Sequence, residues 1–232
     1  MRGIDIAKKL NISTSALRHY ESWGLVPKVE RANNGYRIYT NEHEVYFQCI
    51  RALNAGFGMD LVKKVMPLII EGHIQNALWL INKAQVDLYA ERETIQKTIE
   101  ILDSKDLTEL TVDSKYRGKH FTIGEVAKEA NVSASAIRHW EKEGLLEPER
   151  HKDSGFRIYS QSDIRRVFII RTVQRVVYFL DIIREVLSDI DQNNIVQAKE
   201  MALQSQQFLD NALLDQVRGI ATLQSLLDVV SK

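Results

Sequence analysis

RHYESWGLV at residues 18–26 returns as RHWEKEGLL at residues 138–146, which lies 120 positions further along the chain. The same offset relates GYRIY at 35–39 to GFRIY at 155–159. Self-similarity at a fixed offset indicates a repeated structural unit. We therefore expect a tandem duplication of one small domain, with the function carried twice.

The residues around the first stretch predict a helix-turn-helix. An apolar stripe opens it, formed by Ile6, Ala7 and Leu10. Ser13 then stands where a helix N-cap is expected, and Ile12 and Leu17 hold the two positions of a hydrophobic staple. Gly24 ends the second helix, where a left-handed residue is favoured. The second copy repeats these features 120 positions later.

One side of the second helix suits DNA. If residues 14–22 are helical, Leu17 and Tyr20 point inward at a three-residue spacing. The more polar side carries Thr14, Ser15, Arg18 and His19. A helix of this size fits the major groove, where arginine reads guanine through two hydrogen bonds. Such a face is also typical of an ordinary solvated surface, but its return in the second copy favours a function.

A short hairpin, or wing, is expected after each helix-turn-helix. Asn33-Asn34-Gly35 is a turn signal, and Tyr36-Arg37-Ile38-Tyr39 alternates its side chains as a strand does. Arg37 and its counterpart Arg157 would project towards a phosphate or a minor groove. The aromatic neighbours have a second interpretation, in which at least one of each pair closes the small core under the wing. They are Tyr36, Tyr39, Phe156 and Tyr159.

Both heads resemble the winged helix-turn-helix of the MerR family of bacterial transcription regulators. The usual run of that family is close to S-x-x-T-[IL]-R-Y-Y-E-x-x-G-L-[IL]-x-P, followed by G-Y-R-x-Y. The first copy reads STSALRHYESWGLVP with NGYRIY, and the second reads SASAIRHWEKEGLLEP with SGFRIY. The match covers about residues 1–72 and 120–190. It departs at His19 and His139, at Trp140, and at a proline displaced by one residue in the second copy.

The resemblance implies which residues meet DNA. The recognition-helix contacts would be Arg18 and Arg138, and the residues close to the DNA would be Thr14, Ser15, His19, Ser135 and His139. The wing contacts would be Arg37, Tyr39, Arg157 and Tyr159. No catalytic residue, cofactor or metal site is predicted.

The family continues each head with a pair of helices. The first copy keeps their turn as Ala55-Gly56-Phe57-Gly58-Met59, whereas the second copy has Val176-Val177-Tyr178-Phe179. The loss of both glycines favours a straighter or repacked join in the second copy.

Long helices are expected beyond both heads. Ile74, Ile81, Leu88, Ile95 and Leu102 recur every seven residues, which is one seam of a coiled coil. The second tail, from about 195 to 230, has an apolar pattern with Gly219 as a soft point. We predict a mainly α fold with small β-hairpin wings. Its parts are a first head at 1–72, a pairing helix at 73–103, a linker at 104–119, a second head at 120–190 and a pairing segment at 191–232.

Two chains of the family pair through antiparallel tail helices. A short linker suffices here if the first tail runs antiparallel to the second tail within one chain. We therefore predict a covalent pseudo-dimer that places two nonidentical recognition helices on unequal half-sites. The alternative is a homodimer of tandem chains that carries four heads.

Composition limits the other functions. Lysine plus arginine balance aspartate plus glutamate at 31 each, so local basic patches would have to meet DNA. Cys49, the single cysteine, is expected to be buried, with a redox sensor as the alternative. No apolar run approaches the roughly 20 residues of a membrane span, and no signal-peptide core is found. The expected location is the cytoplasm, in association with the nucleoid.

The predicted function is that of a sequence-specific bacterial transcription regulator. By resemblance, its tandem heads would read two half-sites of double-stranded DNA at a promoter and distort the spacer, with RNA polymerase as a candidate partner. One alternative is an architectural or recombination-accessory DNA-binding protein. Another is a small-molecule-responsive regulator with a pocket between the tail helices, beside Trp79, Tyr89 or Phe208. An enzyme is not expected, since no nucleophile elbow, phosphate-binding glycine loop or metal-ligand cluster is found.

Overall fold

The structure, a computed structural model, describes residues 1–103, 120–152, 154–175, 177, 179–192 and 194–230. The predicted linker at 104–119 lies outside the described residues, as do Val176 and Tyr178 of the predicted second join. The chain forms two compact units. The first unit contains residues 1–89 and the end of the chain from Asp210, and the second contains the described residues from Ala90 to Leu209.

The first copy of the repeat begins with two short helices, a hairpin and two longer helices. In chain order these are α1 (Gly3–Leu10), α2 (Thr14–Ser22), β1 (Glu30–Arg31), β2 (Arg37–Ile38), α3 (Asn41–Phe57) and α4 (Met59–Ile70). The long helix α5 (Ile74–Asp103) follows. It starts in the first unit and ends in the second.

The second copy repeats this order. Its elements are α6 (Ile123–Glu129), α7 (Ala134–Lys142), β3 (Glu149–Arg150), β4 (Arg157–Ile158), α8 (Gln161–Val173) and α9 (Leu180–Asp191). The long helix α10 (Val196–Val230) starts in the second unit and ends in the first. The predicted fold class, mainly α with small hairpin wings and two winged helix-turn-helix heads, is confirmed.

Local signals define the ends of the recognition helix α2. The Ser13 side chain accepts a hydrogen bond from the Ala16 amide at 3.1 Å, which satisfies one of the free donors of the first turn. At the other end Gly24 adopts a φ of +69°, and the Leu25 amide donates to the Tyr20 carbonyl at 2.9 Å. This is the Schellman arrangement that the glycine predicts. Helix α7 has the same cap at Ser133 and the same left-handed residue at Gly144.

The turn between the two short helices uses an asparagine in each head. Asn11 has a φ of 49° and Asn131 a φ of 50°, and among the described residues other than glycine only these two have a positive φ. Asparagine tolerates the left-handed region better than most residues do. The turn conformation is therefore repeated together with its residue type.

The loop between the two strands of the wing is one residue longer in the second head than in the first. Arg31 pairs with Arg37 in the first wing, and Arg150 pairs with Arg157 in the second. Residues 32–36 join the first pair of strands, whereas residues 151–156 join the second pair. The segment before β3 is therefore one residue shorter than that before β1, and the hairpin loop is one residue longer.

The core of the first unit combines the head with parts of both long helices. Leu17, Phe47 and Ile50 of the head are buried in one cluster with Ile81 of α5 and Leu226 of α10. The apolar seam of α5 thus packs inward, as its seven-residue pattern predicts. The end of α10 completes the core of the first head.

Two glycines have roles that differ from those predicted. Gly56 lies inside α3, and the turn falls at Gly58, which has a φ of +78°. A Cβ atom at Gly56 would lie 2.6 Å from the carbonyl carbon of Asp215 in α10. Gly219 is not a soft point, because α10 is helical through it and its Cβ would meet the Ala52 carbonyl oxygen at 3.1 Å. Both glycines allow α3 and α10 to approach closely.

The second unit uses hydroxyl groups where its helices meet. Thr98 of α5 and Thr172 of α8 are hydrogen-bonded at 2.8 Å, and Ser205 of α10 donates to the Thr172 carbonyl at 3.2 Å. All three residues are buried. Arg171 of α8 also forms an ion pair with Glu91 of α5 at 2.7 Å. The second head is thus joined to the end of the first tail through polar contacts.

We predict that Gly56→Ala lowers the free energy of unfolding by about 1–3 kcal/mol, because the added methyl group overpacks the crossing with α10. Urea unfolding followed by circular dichroism measures this change. Gly124→Ala in α6 is the matched control, since its nearest new neighbour is the Thr122 hydroxyl at 4.0 Å. The control should leave stability unchanged or raise it slightly. Equal losses in both variants would contradict the close approach.

Candidate DNA-binding surfaces

The recognition helix of the first head presents a polar face to solvent. Ser15, Arg18 and His19 are exposed, and Thr14 is half-buried beside them. Leu17 on the opposite side is buried in the core. The structure therefore brings together the four residues predicted for this face.

The second head repeats this face, although Ala134 stands in the place of Thr14. Ser135, Arg138 and His139 are exposed on α7, while Ile137 and Trp140 are buried. The Ser135 hydroxyl is 2.8 Å from the hydroxyl of Ser133, so it is engaged with the N-cap. Trp140, which departs from the family pattern, fills core space and leaves the exposed face unaltered.

An ion pair joins each wing to its recognition helix. Arg37 of β2 pairs with Glu21 of α2, and this hydrogen bond raises the pKa of the Arg37 guanidinium. In the second head the Arg157 Nε atom lies 2.7 Å from the Glu141 carboxylate. Sequence reasoning missed Glu21 and Glu141, although both recur at the repeat offset together with their arginines. The wing arginines thus hold the wing against the helix and have part of their charge neutralised.

The wing tyrosines lie in the core of each head. Tyr39 is 2% exposed and Tyr159 is fully buried. The Tyr159 hydroxyl donates to Glu141, and burial, followed by this hydrogen bond, raises the pKa of Tyr159. The rings of Tyr39 and Tyr159 thus close the core under the wing, which is the second interpretation given above, and their contact with DNA stays a prediction.

The other two wing aromatics have the opposite orientation. Tyr36 is 75% exposed and Phe156 is 74% exposed, at the end of the hairpin loop in each head. The alternation of side chains along a strand separates them from the buried tyrosines. They are the aromatic groups that the wings present to solvent.

An open cleft of about 1000 Å³ lies between three parts of the first head. Arg2 comes from the amino-terminal segment, Thr14 and Arg18 come from the recognition helix, and Tyr36 and Arg37 come from the wing. The cleft therefore combines guanidinium, hydroxyl and aromatic groups on one side of the head. These are the groups that contact phosphates, sugars and base edges in protein–DNA complexes.

The arginines of the helix and the wing differ in their ion pairing. Among the described residues, Arg18 and Arg138 form no ion pair, whereas Arg37 and Arg157 each pair with a glutamate. A phosphate or a guanine that approaches Arg18 meets no competing carboxylate in direct contact with it. The recognition-helix arginines are therefore better placed for a direct DNA contact than the wing arginines.

The residues considered for a small-molecule pocket and for redox sensing do not form such sites. Trp79, Tyr89 and Phe208 are 71%, 63% and 64% exposed, so they line no enclosed pocket for a small molecule. Cys49 is fully buried, and burial raises the pKa of its thiol to about 12. Within the described residues, no three histidine, cysteine or acidic side chains are grouped to hold a metal ion. None of the described helices is long and apolar enough to cross a membrane.

Two heads of this geometry define a DNA-binding protein of the winged helix-turn-helix class. The family model described as "MerR HTH family regulatory protein" matches residues 121–190, and that described as "MerR family regulatory protein" matches residues 5–39. Together with the relatives described next, these matches show that the chain belongs to the MerR family.

Curated relatives support this membership. The HTH-type transcriptional regulator ZntR of Escherichia coli (strain K12) is 41% identical over 68 residues, which is 29% of this chain and 48% of the relative. The mercuric resistance operon regulatory protein of Serratia marcescens is 33% identical over 109 residues, 47% of this chain and 75% of the relative. The chain thus spans about half of the first relative and three quarters of the second. No solved structure matches the chain.

We predict that Cys49 does not react with Ellman's reagent in the folded protein at pH 8, because the thiol is buried and remains protonated. Absorbance at 412 nm measures the reaction. The thiol should react completely once the chain is unfolded in guanidinium chloride. Fast reaction of the native protein would instead support redox sensing.

Proposed function

We propose that this protein regulates bacterial transcription by placing its two heads on two half-sites of a promoter. The observation that carries the proposal is the exposed polar face of α2 and of α7. In each head this face contains an arginine that forms no ion pair among the described residues, and an ion pair joins the wing to the helix beside it. A helix with such a face fits the major groove, and a wing beside it reaches the neighbouring backbone. We further propose that the protein acts on the chromosome in the cytoplasm, as part of the nucleoid.

The two recognition helices would read bases, and the rest of each head would position them. Arg18 and Arg138 are suited to hydrogen-bond a guanine through two donors. Contacts to phosphates fix the register without reading sequence. If the two heads draw their half-sites towards them, the spacer between is distorted, and its deformability then contributes to specificity. A change in spacer geometry is the means by which RNA polymerase at the promoter would be affected.

We propose that one chain forms the complete pseudo-dimer. Residues 74–89 of α5 belong to the first unit and residues 90–103 to the second, while α10 is divided in the reverse sense. Each head therefore has its core completed by the far end of the other copy's tail. In a dimer of single-headed chains, that segment would come from a partner chain.

We predict that the purified protein sediments with the mass of one chain at micromolar concentration, because both units already contain both tail segments. Sedimentation equilibrium measures this mass. A mass of twice the chain would favour the homodimer with four heads.

We predict that Arg18→Ala weakens specific DNA binding by about 1–3 kcal/mol, which is roughly 5- to 150-fold in the dissociation constant. Fragments selected from bacterial genomic DNA by the purified protein supply the target, and fluorescence anisotropy measures the affinity. A regulator should prefer its best fragments to bulk DNA by roughly 10³-fold or more.

Arg51→Ala is the matched control for this test. Arg51 is an exposed arginine of α3 that lies outside the polar face of the recognition helix. Its loss removes the same charge and should leave specific binding nearly unchanged. An equal effect of the two variants would contradict the assignment of Arg18. Binding without any shared motif would instead favour an architectural protein.

A further inference from the structure

The two heads differ in charge although they share one fold. Residues 1–40 contain seven lysines and arginines and three acidic residues, whereas the matching residues 121–160 contain six and seven. The net charge is therefore +4 in the first window and −1 in the second. Electrostatic attraction to the phosphates provides most of the nonspecific affinity of a DNA-binding protein. The two heads cannot contribute equally to it.

In the first head, a positive charge lies beside the end of the recognition helix. The Lys63 Nζ atom lies 4.2 Å from the centre of the Trp23 ring, and the centre of the His19 ring lies 5.6 Å from that of the same tryptophan. The tryptophan ring attracts the ammonium group without cancelling its charge. Lys63 thus adds to the positive potential of this head.

In the second head, a carboxylate occupies the corresponding place. Glu143 stands where the first copy has Trp23, and its carboxylate is 4.0 Å from the Nδ1 atom of His139. The Arg184 guanidinium is shared between Glu143 at 3.6 Å and Asp181 at 2.6 Å. One guanidinium is thus opposed by two carboxylates, so Glu143, Asp181 and Arg184 together carry a net negative charge.

The segment after each recognition helix reinforces the difference. Lys28 is exposed before the first wing, whereas Glu147 is exposed before the second. The first head therefore has a cation where the second has a carboxylate. Part of the difference in charge thus lies on the surface that leads from helix to wing.

We propose that the first head anchors the protein on DNA and that the second head is a weak reader, which binds its half-site only once the first is bound. This proposal rests on the proposed function. A weakly attracted head binds effectively when it is held near its site by a bound neighbour, because its binding becomes intramolecular. The second head then contributes discrimination between sites more than affinity.

The consequence for promoters is an unequal requirement for the two half-sites. A site that matches only the first head retains a complex, whereas a site that matches only the second does not. Complete binding, with any distortion of the spacer, then depends on the sequence of the second half-site. Binding of the second head would thus determine whether transcription is regulated from a site that the first head has bound.

The first test uses the wild-type chain on its selected fragment and on two fragments in which one half-site is scrambled. Hydroxyl-radical footprints of Arg18→Ala and Arg138→Ala assign each half-site to a head. We expect scrambling of the first head's half-site to weaken binding at least about tenfold more than scrambling of the second. Equal losses overturn the proposal while leaving the proposed function intact. A wild-type chain without any specific complex contradicts the proposed function itself.

The second test restores charge to the second head. Glu143→Gln removes one carboxylate and leaves Arg184 with Asp181 alone. We expect tighter binding and a plot of log affinity against log salt that is steeper by about 0.9, the slope of one added phosphate contact. Glu200→Gln, at an exposed position of α10, makes the same change in net charge and should alter neither quantity. Identical behaviour of the two variants overturns the proposal.

Discussion

The ion pair between recognition helix and wing determines the shape of both DNA-binding surfaces. In each head the ion pair joins two residues that are 16 positions apart in the chain, namely Glu21 and Arg37 in the first and Glu141 and Arg157 in the second. Each two-residue pair of strands is too short to be stable without support. The ion pair, together with a buried wing tyrosine, supplies that support. It also engages the wing arginine, whereas the helix arginine of each head forms no ion pair among the described residues.

The second constraint is the division of the long helices between the two units. Ile81 and Leu226 close the core of the first head, and Thr98 with Ser205 contributes to the second. Gly56 and its neighbours permit the close packing in the first unit, whereas hydroxyl groups mediate it in the second. The two copies therefore keep one architecture while they use different contacts to close their cores. Tandem duplication allows this divergence, because the two halves no longer have to be identical.

Sequence alone predicted those features that depend on neighbouring residues. The cap at Ser13 and the left-handed Gly24 are local, so their motifs indicated the ends of the helix. Alternation along the wing separated two faces but did not show which one meets the core, and the DNA contact of Tyr39 was expected from the family resemblance alone. The pairing of Glu21 with Arg37 joins two elements, which no helical spacing reveals. Only the recurrence of both residues at the repeat offset could have indicated it.

The proposed function uses two unequal heads on one chain, and the stoichiometry of the DNA complex distinguishes this proposal from the alternatives. The measurement is native mass spectrometry of the complex on a fragment whose protected bases are known from hydroxyl-radical footprinting. We expect one chain on each fragment, with two separated protected patches of different sequence. Two chains on each fragment, or diffuse protection from one chain, would contradict the pseudo-dimer regulator.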